Sequence, residues 1–252
     1  VYSKMKFLVK QRSGSVYGDK PYMPTIKWTL NYRKKYYTTT GLFPELHSRV
    51  ADWHALGPVE VEEYLPITRE SPSLAQVCIR KRFTDPKTIP GVKFKKLKLF
   101  EGQLVDGVPT LFAGGPVWGM AWCSIPMECL LVHSIYKVNV HQFLAVSCHR
   151  SMDDLHKTGS SYSNKGLIQI WDFGHLDNLR KCSMAPKLVL GLAHEFGAIW
   201  QLEWCPSGCY DVETPEDRLR RLGLLAAACS DGTVRIFSVC FPDQLLETHA
   251  DK

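Results

Sequence analysis

Two cysteines and an upstream histidine are the residues whose types and spacing come closest to a metal site. Cys205 and Cys209 are separated by three residues in Cys-Pro-Ser-Gly-Cys, and His194 precedes them. Thiolate and imidazole groups bind zinc, but structural zinc sites take four ligands, and no second close cysteine pair follows at finger spacing. The remaining cysteines of the nine lie mostly on predicted strands, where free cysteine behaves as a small hydrophobe. We therefore predict no metal and no cofactor.

The histidines and paired acids form no recognisable catalytic motif. The chain lacks a Gly-x-Ser-x-Gly elbow, a Gly-x4-Gly-Lys-Ser/Thr phosphate loop and a His-Glu-x-x-His pair. Adjacent acids such as Asp153-Asp154 and Glu62-Glu63 point apart on a strand and are solvated in a loop. Four histidines cluster in predicted insertions, where surface positions are the simplest interpretation: His133, His141, His149 and His156. We predict no catalytic residue and no small-molecule substrate; a hydrolase built on these histidines would need a cavity that the sequence does not show.

Positive charge is concentrated in the first half of the chain. Residues 1–110 contain 19 Lys and Arg against 10 Asp and Glu, whereas residues 111–252 contain 12 against 15, for a total of +6. A basic segment on a neutral or acidic domain is typical of contact with nucleic acid or an acidic partner. The candidate nucleic-acid contacts are Arg80, Lys81, Arg82, Lys93, Lys95, Lys96 and Lys98. The alternation around Lys93–Leu99 equally fits a half-buried edge strand whose lysines discourage unwanted pairing.

The rest of the chain must position these side chains, and there one pattern occurs twice. Trp118 and Trp122 recur 82 positions later as Trp200 and Trp204, whereas Trp171 and Phe237 are 66 positions apart. Within each apolar segment alternate residues point to opposite faces, which is the periodicity of a strand. The sequence therefore predicts two units of antiparallel strands. The first unit carries loops at 124–142 and 149–165, and its outer strand lies near residues 188–193.

The two units resemble WD repeats, the blades of β-propellers, whose usual period is ~40 to 45 residues. A closer resemblance, to the WD-repeat (beta) subunits of general transcription factor IIIC, is carried by residues 113–123, 197–208 and 221–232 and covers about half of the chain. It implies a nuclear, non-enzymatic scaffold subunit that supports promoter recognition by RNA polymerase III at tRNA and 5S rRNA genes. Its expected partners are other subunits of that complex, with promoter DNA contacted directly or through them.

The resemblance also assigns structural roles to particular repeat positions. These are Trp118, Trp122, Trp171, Asp172, His194, Trp200, Trp204, Ser230, Asp231 and Phe237. In WD repeats a His, a Ser or Thr, an Asp and a Trp often share a buried hydrogen-bond network. Phe237 has no indole donor, and Gly114-Gly115 occupy the histidine position of the first unit, so we expect neither network to be complete.

These observations predict an all-β fold: a partial WD-repeat β-propeller of about two blades at 106–252, preceded by a basic, partly disordered extension and linker at 1–105. Closed propellers need ~4 to 8 blades. Since the first residue is Val, we expect a piece of a longer chain with one apolar blade face uncovered. Residues 44–56 have near-helical spacing and predict a helix that Gly57-Pro58 ends. No segment suits membrane insertion. The alternative is a WD-repeat adaptor that recognises a protein motif in a ubiquitin-ligase or chromatin complex.

Overall fold

The computed structural model describes Asn31 and residues 41–71, 74–75, 94–105, 107–126, 140–151, 155–157, 159–175, 184–206, 209–213 and 217–245. Three short helical turns, at Pro44–Leu46, Val50–Asp52 and Pro58–Val61, precede the strands. The strands are β1 (Leu74–Ala75), β2 (Phe94–Lys95), β3 (Gly102–Val105), β4 (Val108–Leu111), β5 (Val117–Trp122), β6 (Phe143–Cys148), β7 (Gly166–Asp172), β8 (Lys187–His194), β9 (Ile199–Trp204), β10 (Arg221–Cys229) and β11 (Val234–Cys240).

The strands pair with their sequence neighbours in antiparallel sheets. The first sheet has the order β5-β6-β7-β8 and the second β9-β10-β11, while β1-β2 and β3-β4 form two smaller pairs. The register places Trp122 beside Leu144 in the first sheet and Trp204 beside Leu225 in the second. The predicted all-β class and the strands of both repeat units are confirmed. The described part of the chain contains no closed sheet.

The main hydrophobic core lies between the two larger sheets, where β5 packs against β9. Small residues on β5 permit this approach, because a Cβ added to Gly119 would lie 3.1 Å from Cγ of Leu202. The indole Nε1 of Trp204 donates a hydrogen bond to the carbonyl oxygen of Ala121 at 3.0 Å, which ties the two strands together. Trp204 is 3% exposed and belongs to this core. The alternation predicted from the sequence therefore turns Gly119 and Ala121 toward the second sheet.

The hairpin β3-β4 and the residues after it cover part of the other face of the first sheet. Phe100, Leu111 and Ala113 pack there against the buried Trp171. The indole Nε1 of Trp171 donates to Oε1 of Gln169 at 2.9 Å, and Nε2 of Gln169 donates to the carbonyl oxygen of Ala113 at 2.8 Å. Gln169 thus gives the buried indole the polar partner that a WD-repeat network would supply. The predicted boundary between residues 105 and 106 falls in the turn of this hairpin.

The helix predicted for residues 44–56 is wrong. The segment forms two separate 3-10 turns, and Pro58, expected to end a helix, instead begins a short one, since proline is favoured at the first helical position. Two carbonyl groups near the start of the segment also bond to residues at the beginning of β10 or just before it: Ser48 accepts from the Leu219 amide at 2.9 Å, and Phe43 accepts from the Arg221 guanidinium at 2.8 Å. Tertiary contacts therefore override the helical pattern.

Candidate functional site

Five aromatic and imidazole rings meet where the loops join the first strands of the two sheets. We call Trp118, His149, His156, Tyr162 and Trp200 the ring cluster. Trp200 is central, with its centroid 5.3 Å from that of Trp118, 5.0 Å from His156 and 5.5 Å from His149. His156 also lies 4.8 Å from Tyr162. Most of these contacts are edge-to-face or tilted, which is the preferred geometry of ring pairs and fixes the rings against one another.

The loop that carries Tyr162 is anchored on two turns of the second sheet. The Tyr162 amide donates to the carbonyl oxygen of Ser230 at 3.2 Å, and the Ser230 hydroxyl donates to the carbonyl oxygen of Tyr162 at 3.0 Å. The same hydroxyl accepts from the Ala198 amide at 2.8 Å. Gly197 has φ +77, and a Cβ there would lie 2.1 Å from both the Ser230 hydroxyl and the Tyr162 carbonyl. Only glycine fits this junction.

His194 is buried beneath this junction. Its Nδ1 accepts a 3.4 Å hydrogen bond from the Phe196 amide, and its Nε2 has no hydrogen-bond partner in the described part of the chain. Burial lowers the pKa of His194 to about 4, against a smaller opposing effect of Asp231. The imidazole is therefore neutral at physiological pH. It borders a small cavity of about 30 Å³ that is also lined by Ser147 and Lys165.

The expected WD-repeat residues of the second unit do not form one hydrogen-bond network. Oδ1 of Asp231 accepts from the amide of Thr233 at 2.9 Å and from its hydroxyl at 2.6 Å, and these bonds hold the pKa of Asp231 below its usual value. Ser230 bonds to the loop of Tyr162, and Phe237 lies in the core without a polar group. In the first unit, Oδ2 of Asp172 lies 2.7 Å from Nδ1 of His141.

Positive side chains surround the ring cluster. Lys165 pairs with Glu63 and lies 3.7 Å from Glu195, so its charge is balanced. Arg150 and Lys157 are exposed, and the positive charge of Arg150 contributes, with that of Lys165, to the lowered pKa of Glu63. A cleft of about 320 Å³ opens beside Lys157, with His156, Tyr162 and Trp200 in its walls. The arrangement can accept a negatively charged group next to an aromatic surface.

The four repeat tryptophans of the first strands differ in environment. Trp204 is buried and Trp200 is half-buried, whereas Trp118 is 57% and Trp122 45% exposed. Met120, between them, is 61% exposed, so β5 presents an open apolar face on the side away from β9. Trp122 lies on this face, whereas the exposed Trp118 contacts Trp200 of β9 in the ring cluster. We call Met120 and Trp122 the β5 face.

The predicted nucleic-acid contacts are only partly described. Lys96 and Lys98 lie on the surface, where Lys96 pairs with Glu70 at 3.5 Å and the bridge between Glu70 and Lys98 continues the ladder of β1 and β2. Lys95 is in β2, while Arg80, Lys81, Arg82 and Lys93 lie outside the described residues. Leu97 is 1% exposed, so this stretch has the alternation of a half-buried strand.

Burial keeps the thiols of Cys209, Cys148 and Cys240 in their protonated form. Burial is the main cause that raises the pKa of Cys209 to about 12, and a hydrogen bond with Cys205 adds to it. Burial likewise raises the pKa of Cys148 and Cys240 to about 12. Among the described residues no three His, Cys, Asp or Glu side chains are grouped as metal ligands. Those residues also include no helix that is long and apolar enough to span a membrane.

Sequence reasoning missed a buried charge cluster around Arg221. Arg221 is 1% exposed, and its guanidinium donates to the carbonyl oxygens of Leu42 at 2.5 Å and Cys209 at 2.9 Å. Its backbone amide donates to Asp211, whose carboxylate also lies 2.8 Å from Nε2 of His47. Arg221 follows two other arginines, Arg218 and Arg220, and immediately precedes an apolar run. Only its place at the start of a buried strand could have signalled burial.

Together these features define an all-β protein of antiparallel meander sheets with a surface suited to binding. No protein-family model matches the chain. It is 31% identical over 197 residues to "General transcription factor 3C polypeptide 2" of Homo sapiens and of Pongo abelii, which covers 77% of this chain. It is also 35% identical over 77 residues, 31% of this chain, to "Transcription factor tau subunit sfc6" of Schizosaccharomyces pombe. The chain is thus homologous to transcription factor subunits and spans about a fifth of the length of the first two.

Proposed function

We propose that this chain is a non-catalytic scaffold part of a transcription factor IIIC subunit that acts in the nucleus in transcription by RNA polymerase III. The carrying observation is the similarity to general transcription factor 3C polypeptide 2, which extends over 77% of this chain. The protonated thiols and the absence of a grouped ligand set among the described residues favour a binding role over catalysis. Its partners are then other subunits of the same complex.

The two larger sheets correspond to neighbouring blades of a WD-type propeller in this proposal. Trp122 and Trp204 occupy matching positions, yet only Trp204 has a second sheet against it. Both outward faces are open: the β5 face on one side, and on the other Val234 at 70% and Ile236 at 65% exposure. Each is the surface on which a further blade would pack. A further sheet that packs over Trp122, as β5 packs over Trp204, would need small residues at the positions that match Gly119 and Ala121 of β5.

The basic stretch around Lys96 and Lys98 lies near promoter DNA in the same proposal. If these side chains neutralise phosphates, DNA affinity of the complex falls steeply as salt is added, with a slope of about −0.9 per phosphate contacted. Replacing both lysines with Gln then reduces that slope, while Lys187→Gln, at an exposed position of β8, leaves it unchanged. An equal salt dependence of DNA affinity in all three proteins would show that these lysines do not contact the DNA.

The proposal is tested by affinity purification of the full-length parent protein from nuclear extract, followed by mass spectrometry. The expected result is recovery of transcription factor IIIC subunits, lost when residues 194–238 are deleted. Trp204→Ala within the same protein provides a milder disruption of the second sheet. Recovery of ubiquitin-ligase or chromatin components instead would support the adaptor alternative and reject the proposed complex.

A further inference from the structure

We propose that residues 42–53, which we call the strap, are fastened to the second sheet by a protonated histidine and are loosened when that proton is lost. The histidine is His47, whose ring contacts both the strap itself and Asp211, a residue of the segment before β10. The device goes beyond the scaffold role, because neither the repeat pattern nor the similarity to transcription factor subunits assigns a proton-dependent contact to this segment.

Both ring nitrogens of His47 face oxygen atoms that accept hydrogen bonds. Nδ1 lies 3.0 Å from the carbonyl oxygen of Pro44, and Nε2 lies 2.8 Å from Oδ2 of Asp211. The same Oδ2 accepts a hydrogen bond from the Arg221 amide at 2.7 Å. A neutral imidazole has one donor nitrogen and one acceptor nitrogen, whereas the imidazolium ion donates from both. Only the imidazolium ion therefore satisfies both contacts.

The His47 ring is largely removed from water. The side chains of His47 and Asp211 are 6% and 8% exposed. In a neutral ring, the lone pair of one nitrogen would face the lone pairs of the carbonyl or the carboxylate oxygen. Little water reaches the ring to replace the lost hydrogen bond. Loss of the proton therefore weakens the attachment of the strap.

Arginines at the start of β10 face the same contact, and their positive charge opposes the imidazolium ion. The Arg221 guanidinium lies 3.9 Å from Oδ1 of Asp211, which is farther than either ring contact of His47, and it donates to the carbonyl oxygens of Leu42 and Phe43. These arginine bonds do not depend on the His47 proton, so its loss loosens the strap without freeing it. The other charged or titratable groups beside the contact are Arg218, which donates to the Pro44 carbonyl, Arg220, which donates to the Asp211 carbonyl, the Cys209 thiol, and the exposed Glu45, Arg49 and Asp52 of the strap.

The strap follows a strongly basic part of the sequence. Residues 1–40 contain nine Lys and Arg against one acidic residue. Within the described ranges the strap is held to the second sheet at further points: the Ser48 carbonyl accepts from the Leu219 amide at 2.9 Å, and Trp53 packs against the main core. The proton on His47 therefore adjusts how firmly the chain is attached where this basic part ends.

Amide hydrogen exchange of the whole chain, followed by NMR, tests the device. The reporter is the Leu219 amide, because it donates to the Ser48 carbonyl of the strap. We expect its protection factor, corrected for the intrinsic exchange rate, to be about threefold to tenfold higher at about pH 5.5 than at about pH 8. The Cys205 amide, which donates to the Leu224 carbonyl at the end of β9, should show no such increase. Global unfolding has the opposite pH dependence, because the buried neutral His194 makes the protein less stable in acid.

His47→Gln retains a donor that can reach Asp211 but takes up no proton, so the protection of Leu219 should no longer rise in acid. His54→Gln is the matched control, since His54 is an exposed histidine next to the strap, and it should keep the wild-type response. Ring-nitrogen NMR shifts of the wild-type protein give a second measurement, and we expect His47 to carry a proton on both nitrogens at about pH 5.5.

Three results would overturn the proposal. The first is equal Leu219 protection in the wild-type protein at the two pH values. The second is an acid response that His47→Gln retains, because another group would then be its source. The third is a His47 ring with a single proton at about pH 5.5 in the folded protein.

Discussion

The first strands of the two sheets carry the same residues in different environments. Trp204 on β9 is 3% exposed because β5 lies against it, whereas Trp122, its counterpart on β5, is 45% exposed. Similarly, Gly119 and Ala121 face the second sheet, while their counterparts Gln201 and Glu203 face solvent. Repeat position thus predicts which way a side chain points, but the neighbouring sheet decides whether it is buried.

Trp204→Ala gives the largest expected effect and tests this comparison directly. The substitution removes a buried indole and its hydrogen bond to Ala121, and we expect a loss of about 3 to 5 kcal/mol in the free energy of unfolding, measured with urea. Trp122→Ala is the matched control and should cost less than about 1 kcal/mol because the side chain is already half in water. An unchanged urea midpoint for Trp204→Ala would show that the Trp204 side chain is not buried in the core.

Arg221→Met tests how the second sheet is covered at its far side. The variant removes the guanidinium that donates to the carbonyl oxygens of Leu42, Phe43 and Cys209. It also removes the positive charge 3.9 Å from the buried Asp211 carboxylate, so we expect a loss of about 3 kcal/mol in urea unfolding. Arg235→Met removes an arginine whose side chain is 44% exposed and should cost no more than about 1 kcal/mol. Equal losses in the two variants would mean that residues 41–47 do not depend on the buried guanidinium.

The pH dependence of stability sharpens the comparison at the junction of the sheets. His194 has a pKa lowered from 6.5 to about 4 by burial, so below pH 6.5 the unfolded chain binds a proton that the folded protein does not. The free energy of unfolding should therefore fall with decreasing pH, by up to about 2 to 3 kcal/mol between pH 6.5 and 4 from this residue alone. Above pH 6.5 His194 is neutral in both the folded and the unfolded chain, so this loss of stability is absent there.

Urea unfolding of His194→Asn across this pH range measures that contribution. Its stability should change less between pH 6.5 and 4 than that of the wild type. His54→Asn, which replaces an exposed histidine, should retain the wild-type dependence. Parallel curves for His194→Asn and the wild type would show that His194 is not buried in its neutral form.

Gly119→Ala and Gln201→Ala compare matching positions of β5 and β9 and have the smallest expected effects. The new Cβ at residue 119 would lie 3.1 Å from Cγ of Leu202, so the leucine must shift, and we expect a loss of about 1 kcal/mol. Gln201 is exposed, and its replacement should change stability by less than about 0.5 kcal/mol. Differential scanning calorimetry of the two variants shows whether each substitution raises or lowers the unfolding temperature. A higher unfolding temperature for Gly119→Ala would mean that β5 and β9 are not closely packed.

Much of the fold could be predicted from the sequence because the strand period and the repeat spacing are local properties. The alternation of Trp118, Met120 and Trp122 indicated strand β5, and the loop between β6 and β7 falls where the spacing put it. The same local rules suggested a helix at 44–56, where contacts of Ser48 and Phe43 with the second sheet prevail. The ring cluster could not be predicted, because the loop that carries His149 and His156 meets Trp200 of β9 only in the tertiary structure.

The sequence by itself determined the all-β class, the two related units, the basic first half and the homology to transcription factor subunits. Each follows from residue types and spacings that act over a few positions. Only the tertiary structure decided that Arg221 is buried, that Trp122 is exposed where Trp204 is buried, and that aromatic and imidazole rings from different segments meet in one cluster. Burial and electrostatic pairing depend on which distant segments meet, and that information is spread over the whole chain.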